Sequence, residues 1–170
     1  MDIIEGMKLV VILHDIRSAH NVGSMFRTAD AAGVEKMYLC GITPSPIDRF
    51  KDVRPDFAKV ALGAEQYIGW ESVKTTAAAI RQLKKEGFQI YALEQSKRSM
   101  PYYRVVTEND SRIAIVVGNE VKGLPPAILR AADRILEIPM MGKKESLNVS
   151  VAFGVVAFGL RFNTVRNGSI

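Results

Sequence analysis

"EIPMMGKKESLNVSVAFGVVAFGL", residues 137–160, decides how the rest of the chain reads. It joins the end of a strand at Ile138–Pro139, a Gly/Lys loop, and a helix expected over 147–163. From Leu147 on, that helix is apolar almost all the way round, yet its first turn carries Ser146, Asn148 and Ser150. A helix start leaves backbone N–H groups unpaired, so small hydrogen-bonding side chains belong there. Capping by Ser146 explains one of them and leaves Asn148 unexplained. A helix with no wet face has to be covered on every side. Either it is the central helix of one chain's core, or a second subunit covers one side, and the pattern alone leaves both open.

Outward from this stretch, short apolar runs alternate with helical patterns. Strands are expected at 8–15, 36–42, 66–70, 88–94, 112–119 and 134–140, and helices at 21–33, 55–62, 72–87 and 125–132. Several strands are apolar on consecutive residues, as strands covered on both faces are. The alternation implies an α/β fold, a largely parallel sheet flanked by helices. Gly33 and Gly87 stand where a left-handed helix cap favours glycine. Residues 41–55 hold three prolines and five charges and read as a loop. No internal repeat or interdomain linker is visible, so residues 1–170 are expected to form a single domain, with no second domain beside it.

The totals exclude several classes. A hydrophobic content of 48% with 24% charged residues belongs to a folded globule rather than a disordered tail. Cys40 is the single cysteine and is expected to be buried, so no internal disulfide is possible. With His14 and His20 as the two histidines, no Cys/His metal cluster is expected. The N-terminal apolar run is too short for a signal peptide, and the last helix falls short of the ~20 residues that span a bilayer. The expected setting is cytoplasmic and reducing, with no membrane. A net charge of +5 favours polyanionic partners without proving one.

Two further segments carry chemistry. In "HNVGSMFRTADAAG" (20–33), Val22, Met25, Phe26 and Ala29 share a helix face that should meet the sheet, and Arg27 points elsewhere. Asn21 is placed to cap this helix, whose start suits a phosphate; taken alone, the segment fits a plain capped amphipathic helix with a solvated arginine better. No G-x-G-x-x-G follows the first strand, which argues against a dinucleotide site. In "IAIVVGNEVKGLP" (113–125), an apolar strand ends in Gly118, Asn119 and Glu120. Ligands of parallel sheets bind beyond such strand ends. A glycine there admits a close backbone approach, and a carboxylate can orient an amine or hydroxyl.

"NVGSMFRTADAAG", "VVGNEVKGLP" and "IPMMGKKESLNVSVAFG" resemble, in order, the three motifs of the SpoU (TrmH-like) branch of the SPOUT RNA methyltransferases. The resemblance spans nearly the whole chain. It implies methyl transfer from S-adenosyl-L-methionine to a ribose 2′-oxygen of tRNA or rRNA. It also implies a C-terminal deep trefoil knot and a homodimer packed through the last helix. Carried over by motif position, Arg27 is the catalytic arginine and Asn21 assists at the RNA phosphate. Glu120 belongs to the second motif, and Ser146 and Asn148 to the third. Gly118, Ile138 and Leu147 match donor-binding positions, and Leu93 is a fourth. No metal is implied. In the last helix, Gly154 and Gly159 are expected to let backbones approach closely.

Two basic, aromatic stretches are candidates for RNA contact. One offers Lys97, Arg98 and Arg104 with Tyr102 and Tyr103, the other Arg49, Lys51, Arg54 and Lys59. Either also fits an ordinary solvated surface. An RNA-binding or assembly factor that keeps the fold without catalysis is the alternative; the presence of Arg27, Glu120, Ser146 and Asn148 counts against it.

Overall fold

The computed structural model describes residues 6–165. The strands are β1 (Lys8–His14), β2 (Lys36–Cys40), β3 (Gly69–Val73), β4 (Gln89–Leu93), β5 (Met100–Pro101), β6 (Thr107–Glu108), β7 (Arg112–Val117), β8 (Arg134–Glu137) and β9 (Thr164–Val165). The α-helices are α1 (Ala19–Ala31), α2 (Pro55–Ala61), α3 (Thr76–Lys85), α4 (Pro126–Ala131) and α5 (Val149–Phe162). Seven strands form one sheet in the order β3-β2-β1-β7-β4-β8-β5, and every neighbouring pair is parallel. The expected parallel α/β sheet is therefore present. β6 and β9 pair separately.

The consecutive apolar residues of the strands are explained by a helical layer on each face. In β1, Leu9, Val11 and Leu13 pack into the layer of α1, α2 and α5, while Val10 and Ile12 pack into that of α3 and α4. β7 divides the same way, Ile113, Ile115 and Val117 against Ala114 and Val116. Each buried Val, Leu or Ile among them contributes about 1.5–3 kcal/mol, so a polar residue at any of those positions would oppose the fold. Val22, Met25, Phe26 and Ala29 are fully buried on α1, as the helical wheel requires. Gly33 and Gly87 follow their helices at φ +67° and +83°.

Some boundaries differ from expectation. The third strand begins at Gly69, not at 66, because Ala64–Gln66 forms a 3-10 turn after a left-handed Leu62 and Gly63. Ile68 is buried from that turn, which lent the run its strand-like look. As an edge strand, β3 takes residues 71–73, and α3 starts only at Thr76 behind a Thr75 cap. β8 stops at Glu137. Among the described residues, no helix is long and apolar enough to cross a membrane.

α5 answers the question its sequence raises. Phe153, Val156, Ala157 and Leu160 are buried against the sheet and α1, but Val151, Phe158 and Phe162 stay exposed, at 52%, 36% and 68%. A central core helix would not leave that stripe bare. Gly154 faces Thr28 of α1, and Gly159 seats the Tyr102 ring, so both glycines admit side chains of the same chain rather than a second backbone. Near the end of α5, Arg161 donates to the carbonyls of Met7, Ala32 and Gly33 at 2.9, 3.0 and 2.6 Å. Burial lowers its pKa, and the three carbonyls fasten α5 to the end of α1 and the approach to β1.

Candidate functional site

β4, β7 and β8 lie side by side and end together. Beyond their carboxyl ends opens a cleft of about 600 Å³, in the range of sites for nucleoside-sized ligands. Its walls are the 118–124 and 139–148 segments, and the first turns of α1 and α5 close it. Eight of the nine residues expected at the site line it: Asn21, Leu93, Gly118, Glu120, Ile138, Ser146, Leu147 and Asn148. Arg27 does not.

A hydrogen-bonded chain holds the floor of the cleft. Glu120 accepts the backbone N–H of Arg17 at 3.0 Å and of Ser18 at 3.1 Å, and the Asn21 amide at 3.2 Å. Asn21 in turn accepts the Asn148 amide at 3.2 Å. The three motifs thus meet through one network. Partial burial works to raise the Glu120 pKa, but the N–H groups of Arg17, Glu120 and Ser18 and the Asn21 amide outweigh it and hold the carboxyl below its ordinary value.

Three local expectations are corrected. The cap of α1 is Ser18, whose hydroxyl accepts the Asn21 N–H, so the helix begins two residues early and Asn21 lies in its first turn. The anion at that helix start is the Glu120 carboxylate, which takes the place expected for a phosphate. The cap of α5 is Asn148, not Ser146; its side-chain oxygen accepts from the Ser150 N–H at 2.9 Å and hydroxyl at 2.6 Å. Asn148 therefore ends one helix and reaches the other with the same amide, while Ser146 stays exposed on the wall.

Gly118 has a packing reason. A Cβ there would lie 2.7 Å from the Gly123 carbonyl carbon and 2.9 Å from the Leu124 nitrogen, so the loop can fold back only over a glycine. Asn119 secures that loop: its amide donates to the Asp15 carbonyl at 2.6 Å, and its oxygen accepts the N–H of Val121 and Lys122.

Arg27 sits six residues beyond Asn21, about 9 Å along the helix axis and about 120° round it. It lines a separate groove with Ser24, Thr28, Ala31, Lys59, Val60 and Phe158, between α1, α2 and α5. Within one chain the guanidinium does not join the other motif residues. Sequence reasoning also missed Glu94, Gln95 and Glu137, which line the cleft. Polar residues directly after an apolar strand were the available signal for the first two. Among the described residues, the lining holds three carboxylates, of Glu94, Glu120 and Glu137, and no lysine or arginine. Such a site favours a compact cationic or neutral ligand over a phosphate.

The candidate RNA-contact stretches divide. Lys97, Arg98, Tyr103 and Arg104 are exposed, but Tyr102 packs against the core and Gly159. Arg49 lies over the Phe50 ring at 4.7 Å, and Lys51 and Lys59 are exposed. Arg54 is only partly exposed, and its Nε is buried. Cys40 is fully buried, which pushes its thiol up to about 11. Among the described residues no cluster of His, Cys, Asp and Glu is placed to hold a metal ion.

Comparison with known proteins places this geometry. The profile of the SpoU rRNA Methylase family matches residues 8–158. A 23S rRNA (guanosine-2'-O-)-methyltransferase RlmB of Ralstonia nicotianae is 34% identical over 93% of this chain and 60% of its own length. The chain spans about 60% of the length of the curated relatives it matches. An AdoMet-bound rRNA methyltransferase from Sinorhizobium meliloti superposes with a TM-score of 0.79 at 28% identity, over 89% of this chain and 55% of that one. The TrmH/SpoU tRNA modifying enzyme of A. aeolicus gives 0.78 at 29% identity, over 95% and 78%.

Proposed function

The chain belongs to the SpoU rRNA methylase family, and we propose that it transfers a methyl group from S-adenosyl-L-methionine to a ribose 2′-oxygen of tRNA or rRNA. The observation that carries this reading is the cleft: nucleoside-sized, lined by carboxylates without a cation, and bounded by backbone at three strand ends. The donor, when bound, supplies an electrophilic methyl on a positively charged sulfur. Leu93, Gly118, Ile138 and Leu147 would hold it, largely through backbone groups and apolar edges. The Sinorhizobium meliloti neighbour was solved with AdoMet bound, and the Ralstonia nicotianae relative is named for a guanosine 2′-oxygen.

The remaining side chains divide the work. Ser146, exposed on the wall, and Asn148 present hydrogen-bonding groups where a ribose would enter. Glu120 already accepts three N–H donors, so it anchors α1 to the 118–124 loop rather than serving as a free base. Asn21, tied to both Glu120 and Asn148, holds the motifs in register instead of meeting a phosphate alone. An arginine keeps its charge; Arg27 clamps the RNA phosphate and stabilises the negative charge that develops on the ribose oxygen as its proton passes to solvent water.

In this reading the enzyme is a homodimer packed through α5. The support is the bare stripe of Val151, Phe158 and Phe162, with the last two rings stacked at 6.1 Å, and the position of Arg27 beside Phe158. A second copy seated there would offer its cleft to the Arg27 that one chain keeps apart. The C-terminal deep trefoil knot belongs to the same proposal. Its support is the crossed order β7-β4-β8, in which later strands flank an earlier one. Residues 1–170 act as a single catalytic domain in a cytoplasmic setting, on RNA and without a metal.

Calorimetry with S-adenosyl-L-methionine, together with mapping of ribose methylation across cellular RNA with and without the protein, tests the reading. Donor binding and a lost methylation mark are the expected results. Absence of donor binding would point instead to a fold-retaining RNA-binding factor.

A further inference from the structure

Glu94 and Gln95 stand directly after β4, outside the three motifs, and reach in different directions. Glu94 Oε2 accepts the Leu124 N–H at 2.9 Å, in the loop that carries Glu120. Its other oxygen accepts the exposed Gln95 N–H at 2.9 Å. Gly123, at φ +64°, leaves the space that the Glu94 carboxylate enters; a Cβ there would collide with Oε2. Glu94's own N–H donates to the Leu136 carbonyl at 3.0 Å, which carries the β4–β8 ladder to the cleft's edge. Gln95 Nε2 donates to the Glu145 carbonyl at 2.6 Å. Among the described residues, that is the one hydrogen bond that reaches residues 139–147 from elsewhere in the chain.

Two adjacent side chains on the end of one strand therefore grip both walls of the cleft. Both Glu94 oxygens already accept backbone N–H groups, so its influence on a ligand passes through the loop it holds. We propose that Glu94 and Gln95 are positioning residues, a clasp that sets the spacing between the 118–124 and 139–148 walls and through it the affinity of the cleft for its donor. The affinity part rests on the methyl-donor reading of the same cleft; the clasp itself does not.

Hydrogen exchange by mass spectrometry on the ligand-free protein, paired with S-adenosyl-L-methionine calorimetry, separates the two. Glu94→Ala should speed exchange in 118–124 about tenfold or more, and weaken donor binding by a similar factor, while β1 and β2 exchange as before. Gln95→Ala should loosen 139–148 and leave 118–124 within about threefold of wild type. Glu94→Gln retains an oxygen for the part-buried Leu124 N–H and loses only the exposed bond to Gln95. It should recover both exchange and donor affinity to within about threefold of wild type. Wild-type exchange at 118–124 in Glu94→Ala, or no recovery in Glu94→Gln, overturns the proposal. If Glu94→Ala does not fold, Gln95→Ala decides: an unchanged 139–148 wall refutes the clasp. Loops that loosen as stated in a protein that binds no donor would leave the clasp standing and remove the donor reading.

Discussion

The cleft beyond β4, β7 and β8 and the groove between α1, α2 and α5 are built in opposite ways. In the cleft, polar groups are committed to one another: Glu120 to α1, Asn21 to Asn148, Asn119 to Asp15 and Glu94 to Leu124. Its charged residues are all acidic. The groove holds Arg27 and Lys59, both exposed and in none of the ion pairs among the described residues, beside the bare Phe158. A site closed upon itself is complete in one chain. Free cations beside an exposed aromatic stripe suit a surface that another molecule completes. The difference teaches that the proposed catalytic set is divided in space even though it is ordered in sequence.

The sharpest way to break this comparison is to remove each half. Arg27→Ala should lower methyl transfer about a thousandfold while donor affinity stays within about twofold, measured with labelled donor and by calorimetry. Asn148→Ala should be similarly inactive for the opposite reason, a damaged cleft. Mixing the two variants should restore activity if one copy's Arg27 serves the other's cleft; a mixture as dead as its components would place both halves in one chain. A smaller effect is expected from Val151→Lys with Phe158→Glu. It should shift the protein to monomer by sedimentation and cost about a hundredfold in rate, with little change in the circular dichroism spectrum.

Acid sharpens the contrast from the cleft's side. The folded pKa of Glu120 lies below its ordinary value, so its contribution to stability is fully present above about pH 4.3 and is lost as pH falls through the lowered folded value. Glu120→Gln should flatten that acid limb in thermal melts taken at stepped pH. Among the described residues no carboxylate lines the groove, and the smallest effect belongs there. Lys59→Ala should weaken RNA binding a few-fold and reduce the slope of log affinity against log salt by about one.

How much of this was legible in the sequence varied with the physics involved. Strands covered on both faces declare themselves by consecutive apolar residues, so the parallel α/β architecture could be read. β3 was placed three residues early, because an edge strand needs little apolar character and Ile68 is buried beside the preceding turn. The choice between Ser146 and Asn148 as cap depended on where the chain leaves the wall, which no local pattern encodes. Eight site residues gather as their motifs suggest. The separation of Arg27 follows from helical period once the helix start is known. Glu94 and Gln95 carried one local signal, their place after an apolar strand, but their partners lie 30 and 50 residues away, and no local pattern names those.

The strand order also governs how the molecule can be made. β7 lies between β1 and β4, and β4 between β7 and β8. When the ribosome has delivered β1 to β4, the fourth strand still lacks both of its final neighbours. The sheet becomes continuous only after residues 112–117 have entered the gap, and the last helix docks later still. Such long-range closure is slow. The cleft joins early residues, Asn21 and Leu93–Gln95, to the late 137–152 segment, so it can close only after that segment has been delivered.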